Sequence, residues 1–120
     1  QLSLAAPRGA VILAGMIVVL FRSRLSPAAG QDYSDTAAAM LAAAKTMPGF
    51  VDFKSFKAED GERLSVVRWT DLESMEAWRT HAGHMEAKRR GRASWYDEYH
   101  IEIAEVRQTR DFVRGRSSTQ

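Results

Sequence analysis

The chain has 120 residues, of which 45% are hydrophobic and 27% charged, the composition of one globular domain and not of a disordered chain. It has no cysteine, so disulfide scaffolds, cysteine zinc sites and thiol chemistry are excluded, and a reducing compartment such as the cytoplasm is expected. Seventeen Lys and Arg against fifteen Asp and Glu leave a net charge of +2, too small an excess to point to nucleic acid as a partner.

Residues 10–21 read AVILAGMIVVLF. A membrane-spanning helix needs about 20 such residues, so no membrane association is expected. A signal peptide would carry a basic start and a small-residue cleavage site after the apolar run. The run reads instead as a buried strand with an apolar lead-in. Because Met16 lies inside it, residues 1–15 are expected to form a leader or extension. A single domain then occupies residues 16–112, and 113–120 form a polar, frayed tail.

The first strand spans 16–25, with Ile17, Val19, Phe21, Ser23 and Leu25 on one face. Ser26 is a good N-cap and Pro27 fits a first helical position, so a helix is expected from there to about Thr46. Met47-Pro48-Gly49 ends it. Residues 50–58 alternate as a strand, Asp60-Gly61 signals a hairpin turn, and 63–70 return. On that returning strand Ser65, Val67 and Trp69 share a face, opposite Leu64, Val66 and Arg68. Asp71 caps a helix with Met75 and Trp78 inward. A further helix follows over 81–90, closed by Gly91. The last strand spans 95–106, and Phe112 is the last large apolar residue.

The order β-α-β-β-α-α-β predicts an α+β, ferredoxin-like fold with a four-stranded antiparallel sheet. Its helices cover one sheet face. One copy has no element left for the other face. A second copy packed sheet to sheet would close a two-subunit α+β barrel, so a homodimer is expected.

No phosphate-binding glycine loop, GxSxG elbow or HExxH pattern occurs. His81 and His84 lie three apart on a helix and share a face. With His100 or a carboxylate they could hold a metal, but exposed or interfacial histidines are the simpler reading and no metal is expected. The run Lys88 to Arg92, KRRGR, suits a helix C-terminus better than a phosphate contact. Trp69, at a strand end beneath a helix pair, reads equally as core or as the wall of a pocket for a flat aromatic ligand.

The stretch LSVVRWTDLESMEAWRTHAGHMEAKRRGRASWYDEYHIEIAEV, with the opening MIVVLFRSRL and the helix-closing MPGFVDF, resembles the antibiotic biosynthesis monooxygenase domain family over about residues 16–112. The resemblance implies a dimeric α+β barrel with a pocket between sheet and helices in each subunit. It also implies two chemistries. In one, a flat phenol is oxidised to a quinone by oxygen without metal or flavin. The protein binds the phenol, stabilises its anion and excludes water. Trp69 matches the strand-end Trp of the family, while Met75 stands where some members carry Tyr. Arg22, Arg24 and Arg68 could stabilise an anion, but alternation puts them on the face opposite Trp69.

The other chemistry is haem degradation. There Ser23 stands for an Asn, and Lys88 for the iron-ligating His. Lysine is a poor iron ligand unless desolvated, and His84 or His81 would have to substitute. A third reading is a non-catalytic small-molecule binder of the same fold.

The sequence is thus expected to specify a small-molecule monooxygenase with no cofactor, haem being the alternative. His81 and His84 are the candidates for proton transfer. Trp69, Phe21, Ser23, Met75, Trp78 and Met85 would line a site for a hydrophobic or aromatic molecule, with Phe21 and Ser23 beside Trp69.

Overall fold

The chain runs through β1 (Ala10–Ile12), β2 (Ile17–Leu25), α1 (Gln31–Ala44), β3 (Phe50–Lys57), β4 (Arg63–Trp69), α2 (Leu72–Arg79), α3 (Ala82–Arg90), a π-helical turn (Gly91–Trp95), β5 (Tyr96–Glu105) and β6 (Gln108–Arg110). The computed structural model describes residues 10–12 and 15–115. Most of the expected leader, residues 1–9, and most of the expected tail, 116–120, lie outside the described residues.

Four antiparallel strands form the main sheet in the order β3-β4-β2-β5, the ferredoxin-like α+β arrangement that the element order implied. Paired residues project to the same side of an antiparallel sheet. Ile17, Val19, Phe21 and Ser23 stand opposite Trp69, Val67, Ser65 and Arg63, and Phe50, Phe53, Ser55 and Lys57 extend the same rows on β3. This is the face the helices cover. Ile17 and Trp69 of the sheet bury against Ala44 of α1 and Met75 of α2. The opposite face carries Val18, Leu20, Leu64 and Val66 between Arg22, Arg24 and Arg68, and none of the fully buried apolar residues lies on it.

Local chemistry sets the element ends. Gly49 has φ +86°, and a Cβ there would collide with Ser74 of α2. Only glycine therefore lets the α1–β3 turn pass under α2. At the hairpin, Gly61 has φ +93°, and Asp60 Oδ1 accepts the Glu62 N–H at 3.0 Å. Asp71 Oδ1 accepts the Ser74 N–H at 2.8 Å and caps α2.

Three expectations need correction. The strand expected over 16–25 is β2, but the apolar lead-in before it carries a strand of its own, β1. Gly15, at φ +89°, precedes β2, and β1 pairs with β6, Val11 opposite Thr109. No sequence signal marked β6. The first helix starts at Gln31, not at Pro27. Ser26 spends its groups elsewhere: its N–H donates to the Trp95 carbonyl at 2.8 Å, and its hydroxyl accepts from Ala28 N–H at 3.1 Å and donates to the Ser94 carbonyl. Gly30 becomes the N-cap, its carbonyl accepting from Tyr33 and Ser34. Gly91 is the C-cap of α3, as expected, but without a left-handed turn. Its backbone stays helical and leads into the π-turn, where a Cβ would press on the Tyr96 ring. Trp95 is the end of that turn and not the start of β5.

Candidate active site

Trp69 ends β4 and is 1% exposed. Phe50 meets it edge-on at 5.6 Å, and Trp78 of α2 stacks beside it at 6.4 Å. Met75, one turn before Trp78, is also buried. Beyond Trp78 the tier continues into α3. His84 stacks on the Trp78 indole at 4.8 Å and 12°, and His81 tilts against it at 5.2 Å. Aromatic stacking thus runs from the buried strand end to the surface. Met85 follows His84 but is 50% exposed.

The two histidines differ in their free nitrogen. His81 caps α3, its Nδ1 accepting the Gly83 N–H at 3.1 Å. His84 Nδ1 lies 3.2 Å from the Trp78 carbonyl. A carbonyl only accepts, so this assigns the proton to Nδ1 and leaves the Nε2 lone pair free. Burial pushes the His84 pKa down, against the carbonyl bond that raises it, and the charges of Lys88 and His81 add to the lowering. A neutral imidazole with an open Nε2 can take a proton.

Phe21 and Ser23, expected beside Trp69, are elsewhere. Antiparallel register sets Ile17 opposite Trp69 and Ser23 opposite Arg63. At about 3.3 Å per residue, Ser23 stands roughly 20 Å from the Trp69 end. Phe21 belongs to a second aromatic cluster, with Tyr96 and Tyr99 each at 5.4 Å. Tyr33 of α1 packs on Trp95 and Tyr96. Burial pushes the Tyr96 phenol up, Tyr33 adds to this, and the nearby Arg63 charge opposes it. Ser23 is buried between the strands of this end. Arg63 carries no motif, and its one sequence signal is parity with Ser65, Val67 and Trp69, which places it on the helical face.

Arg22, Arg24 and Arg68 lie on the open face, as alternation predicted, and each has an acid. Arg22 binds Glu62 at 2.9 Å, Arg24 binds Asp60 at 2.8 Å, and Arg68 reaches Asp52 at 3.6 Å. The KRRGR run is held within the chain. Arg89 pairs with Glu86 and Arg90 with Asp32. Arg90 also covers the Trp95 ring at 4.8 Å, whose indole N–H donates to Asp32.

Among the described residues no group of three or more His, Asp or Glu could hold a metal. The residues do not fit a haem either. Lys88 Nζ donates to the Arg79 carbonyl at 3.5 Å, so it is engaged at the end of α2 and is not presented as an iron ligand. The space against Trp69 is filled by Phe50, Met75 and Trp78, leaving no slot for a porphyrin on the indole. No described helix is long and apolar enough to cross a membrane.

Sheet order, helical cover and the aromatic tier define a ferredoxin-like α+β domain. The chain belongs to the antibiotic biosynthesis monooxygenase family, whose sequence profile matches residues 16–90. It is 35% identical over 80 residues to the uncharacterised protein YqjZ of Bacillus subtilis, covering 67% of this chain and 70% of that one. It is 29% identical over 93 residues to jasmonate monooxygenase ABM of Pyricularia oryzae, covering 76% of this chain but only 43% of that protein. SnoaB of Streptomyces nogalater, a cofactor-independent oxygenase, has the same fold. Its TM-score is 0.68 at 19% identity, over 80% of this chain and 97% of that one.

Proposed function

We propose that this domain oxidises a flat phenolic molecule with molecular oxygen, without a resident cofactor, and that it works as a homodimer. The observation that carries the chemistry is the His84–Trp78 stack at 4.8 Å, backed by buried Trp69. His84 Nε2 accepts the phenol proton while Trp78 and Met85 hold the ring. A phenolate gives up electrons far more readily than a phenol, whose pKa is about 10 in water. The phenolate reduces oxygen. One oxygen atom enters the ring as the second carbonyl of a quinone, the other leaves as water, and the substrate supplies every electron. His81, at the surface end of the tier, passes protons to solvent. Trp69 and Met75 form the rigid backing, while Phe21 and Ser23 receive the far end of the ligand. The relative named a monooxygenase and the neighbour described as a cofactor-independent oxygenase support oxygen chemistry at this fold.

What one copy leaves open supports the dimer. The radius of gyration is 17.0 Å, against about 13–14 Å for a compact chain of this length. Phe56 on the open sheet face is 48% exposed, and the only fully buried apolar residues among those described are Ile17, Ala44, Trp69, Met75 and Trp95. Sedimentation should give twice the chain mass, and Leu20→Lys should halve it. A monomeric wild type overturns the dimer.

The test of activity is oxygen uptake with a hydroxylated polycyclic phenol. The expected result is quinone formation that falls at least tenfold in His84→Gln, in keeping with the 10²–10⁴-fold worth of general-base catalysis. Uptake that is unchanged in His84→Gln removes the histidine from the reaction. Tight binding with no uptake makes the domain a small-molecule binder. A Soret shift on haem titration that is lost in His84→Ala would restore the haem alternative.

A further inference from the structure

We infer that Arg63, with Lys57 beside it, forms a subsite for the anionic end of an elongated amphipathic acid, a carboxylate on an apolar, ring-bearing body. This rests on the proposed ligand site and extends it to the other end of the same sheet face.

The cations of the sheet fall into two groups. On the open face the three arginines have acids, Arg22 with Glu62, Arg24 with Asp60 and Glu98, Arg68 with Asp52, and Lys54 lies over the Phe56 ring at 5.5 Å. Arg63 and Lys57 sit opposite each other across β3 and β4, on the helical side, and neither is among the ion pairs of the described residues. Arg63 is half-buried. A cation withdrawn from water normally has a counter-charge. The two acids of the adjoining hairpin, Asp60 and Glu62, are already bound by Arg24 and Arg22.

The surroundings supply the rest of an acid-binding site. At the end of this hairpin a cavity of about 250 Å³ is lined from the open face by Phe56, Leu64 and the Arg22–Glu62 pair, and Arg63 and Lys57 edge it from the helical side. Ser23 stands opposite Arg63 and is buried. The planar guanidinium fork matches a carboxylate, which an ammonium does only as a point charge. From Arg63 toward Trp69 the face presents Phe21, Ser65, Ser55, Phe53 and Val67, an apolar track with two hydroxyls. The Cα atoms of Arg63 and Trp69 are separated by about 20 Å of strand. That length selects an extended body over a single ring.

The experiment uses a matched pair, a hydroxylated polycyclic aromatic acid and its methyl ester, and reads binding from quenching of tryptophan fluorescence in the intact chain. The acid should bind about tenfold more tightly than the ester, the worth of one charge-assisted hydrogen bond. Arg63→Gln should abolish that difference by weakening the acid alone, and Arg63→Lys should restore part of it. Arg24→Gln, on the open face, should leave the ratio unchanged. Circular dichroism and melting curves confirm that each variant is folded. Equal binding of acid and ester by the wild type overturns the anionic subsite and leaves the ligand site standing. So does loss of both ligands together in folded Arg63→Gln. Failure of both to bind the wild type overturns the ligand site itself, and the subsite with it.

Discussion

At one end of the helix-covered face, Trp69 is enclosed by Phe50, Ile17, Ala44, Met75 and Trp78. At the other, about 20 Å along β4, half-buried Arg63 and exposed Lys57 lie on the same face with no ion-pair partner among the described residues. The first end is built for rigidity, because aromatic and thioether groups gain by packing against one another. The second end leaves the Arg63 charge without a counter-charge among the described residues. One strand thus carries the support at its last residue and the selectivity at its first. The family's marked tryptophan therefore need not be the residue that chooses the ligand.

Truncating each end should separate these roles, and the largest effect belongs to Trp69. Trp69→Ala removes a large ring from a filled core, and such changes cost about 3–5 kcal/mol. Against a total stability of about 5–15 kcal/mol, urea denaturation should show a far lower midpoint. Arg63→Gln should shift the midpoint by about 0.5 kcal/mol or less. Equal losses at the two sites would erase the distinction between support and selectivity.

The pH dependence sharpens the contrast within the aromatic tier. His84 is held below its ordinary pKa by burial, so the unfolded chain binds a proton there more readily than the folded one. By linkage, stability is full above the unfolded value of about 6.5 and is lost as pH falls through and below it. Unfolding followed from pH 8 to pH 5 should show this decline, and His84→Phe, which keeps the stack, should flatten it. A wild-type profile that matches His84→Phe would show that the imidazole is not withdrawn from water.

The fold was legible because its signals were local and agreed with one another. Alternation in 63–70, the Asp60-Gly61 turn, the Asp71 cap and Gly49 each specify backbone geometry within a few residues. The elements that were missed depend on partners distant in sequence. Ser26 looks like a cap until Trp95 claims its N–H, and β6 exists because β1 pairs with it. The site was half legible. Which residues share a face follows from parity, and parity put Trp69, Ser23 and Phe21 together. Which of them are neighbours follows from register, and register places Ser23 against Arg63. Arg63 went unnoticed because an arginine in an alternating strand reads as solvent-facing by composition, even when its parity says otherwise.

The smallest expected effect sits at the rim between the two faces. Glu62 holds Arg22 through two contacts, at 2.9 and 3.2 Å. It is also the acid that borders the cavity beside Arg63. As a partly exposed ion pair it adds little to stability, so Glu62→Gln should leave the urea midpoint within measurement error. Its effect should appear in binding. Removing a carboxylate from the rim and freeing Arg22 both raise the positive potential at the cavity. The preference for the acid over its ester should then rise by a small factor, more at low ionic strength than at high, because screening weakens charges near the surface. A fall in that preference would mean that Glu62 positions the cations rather than competing for them. The selectivity end would then depend on its ion pair as the aromatic end depends on packing.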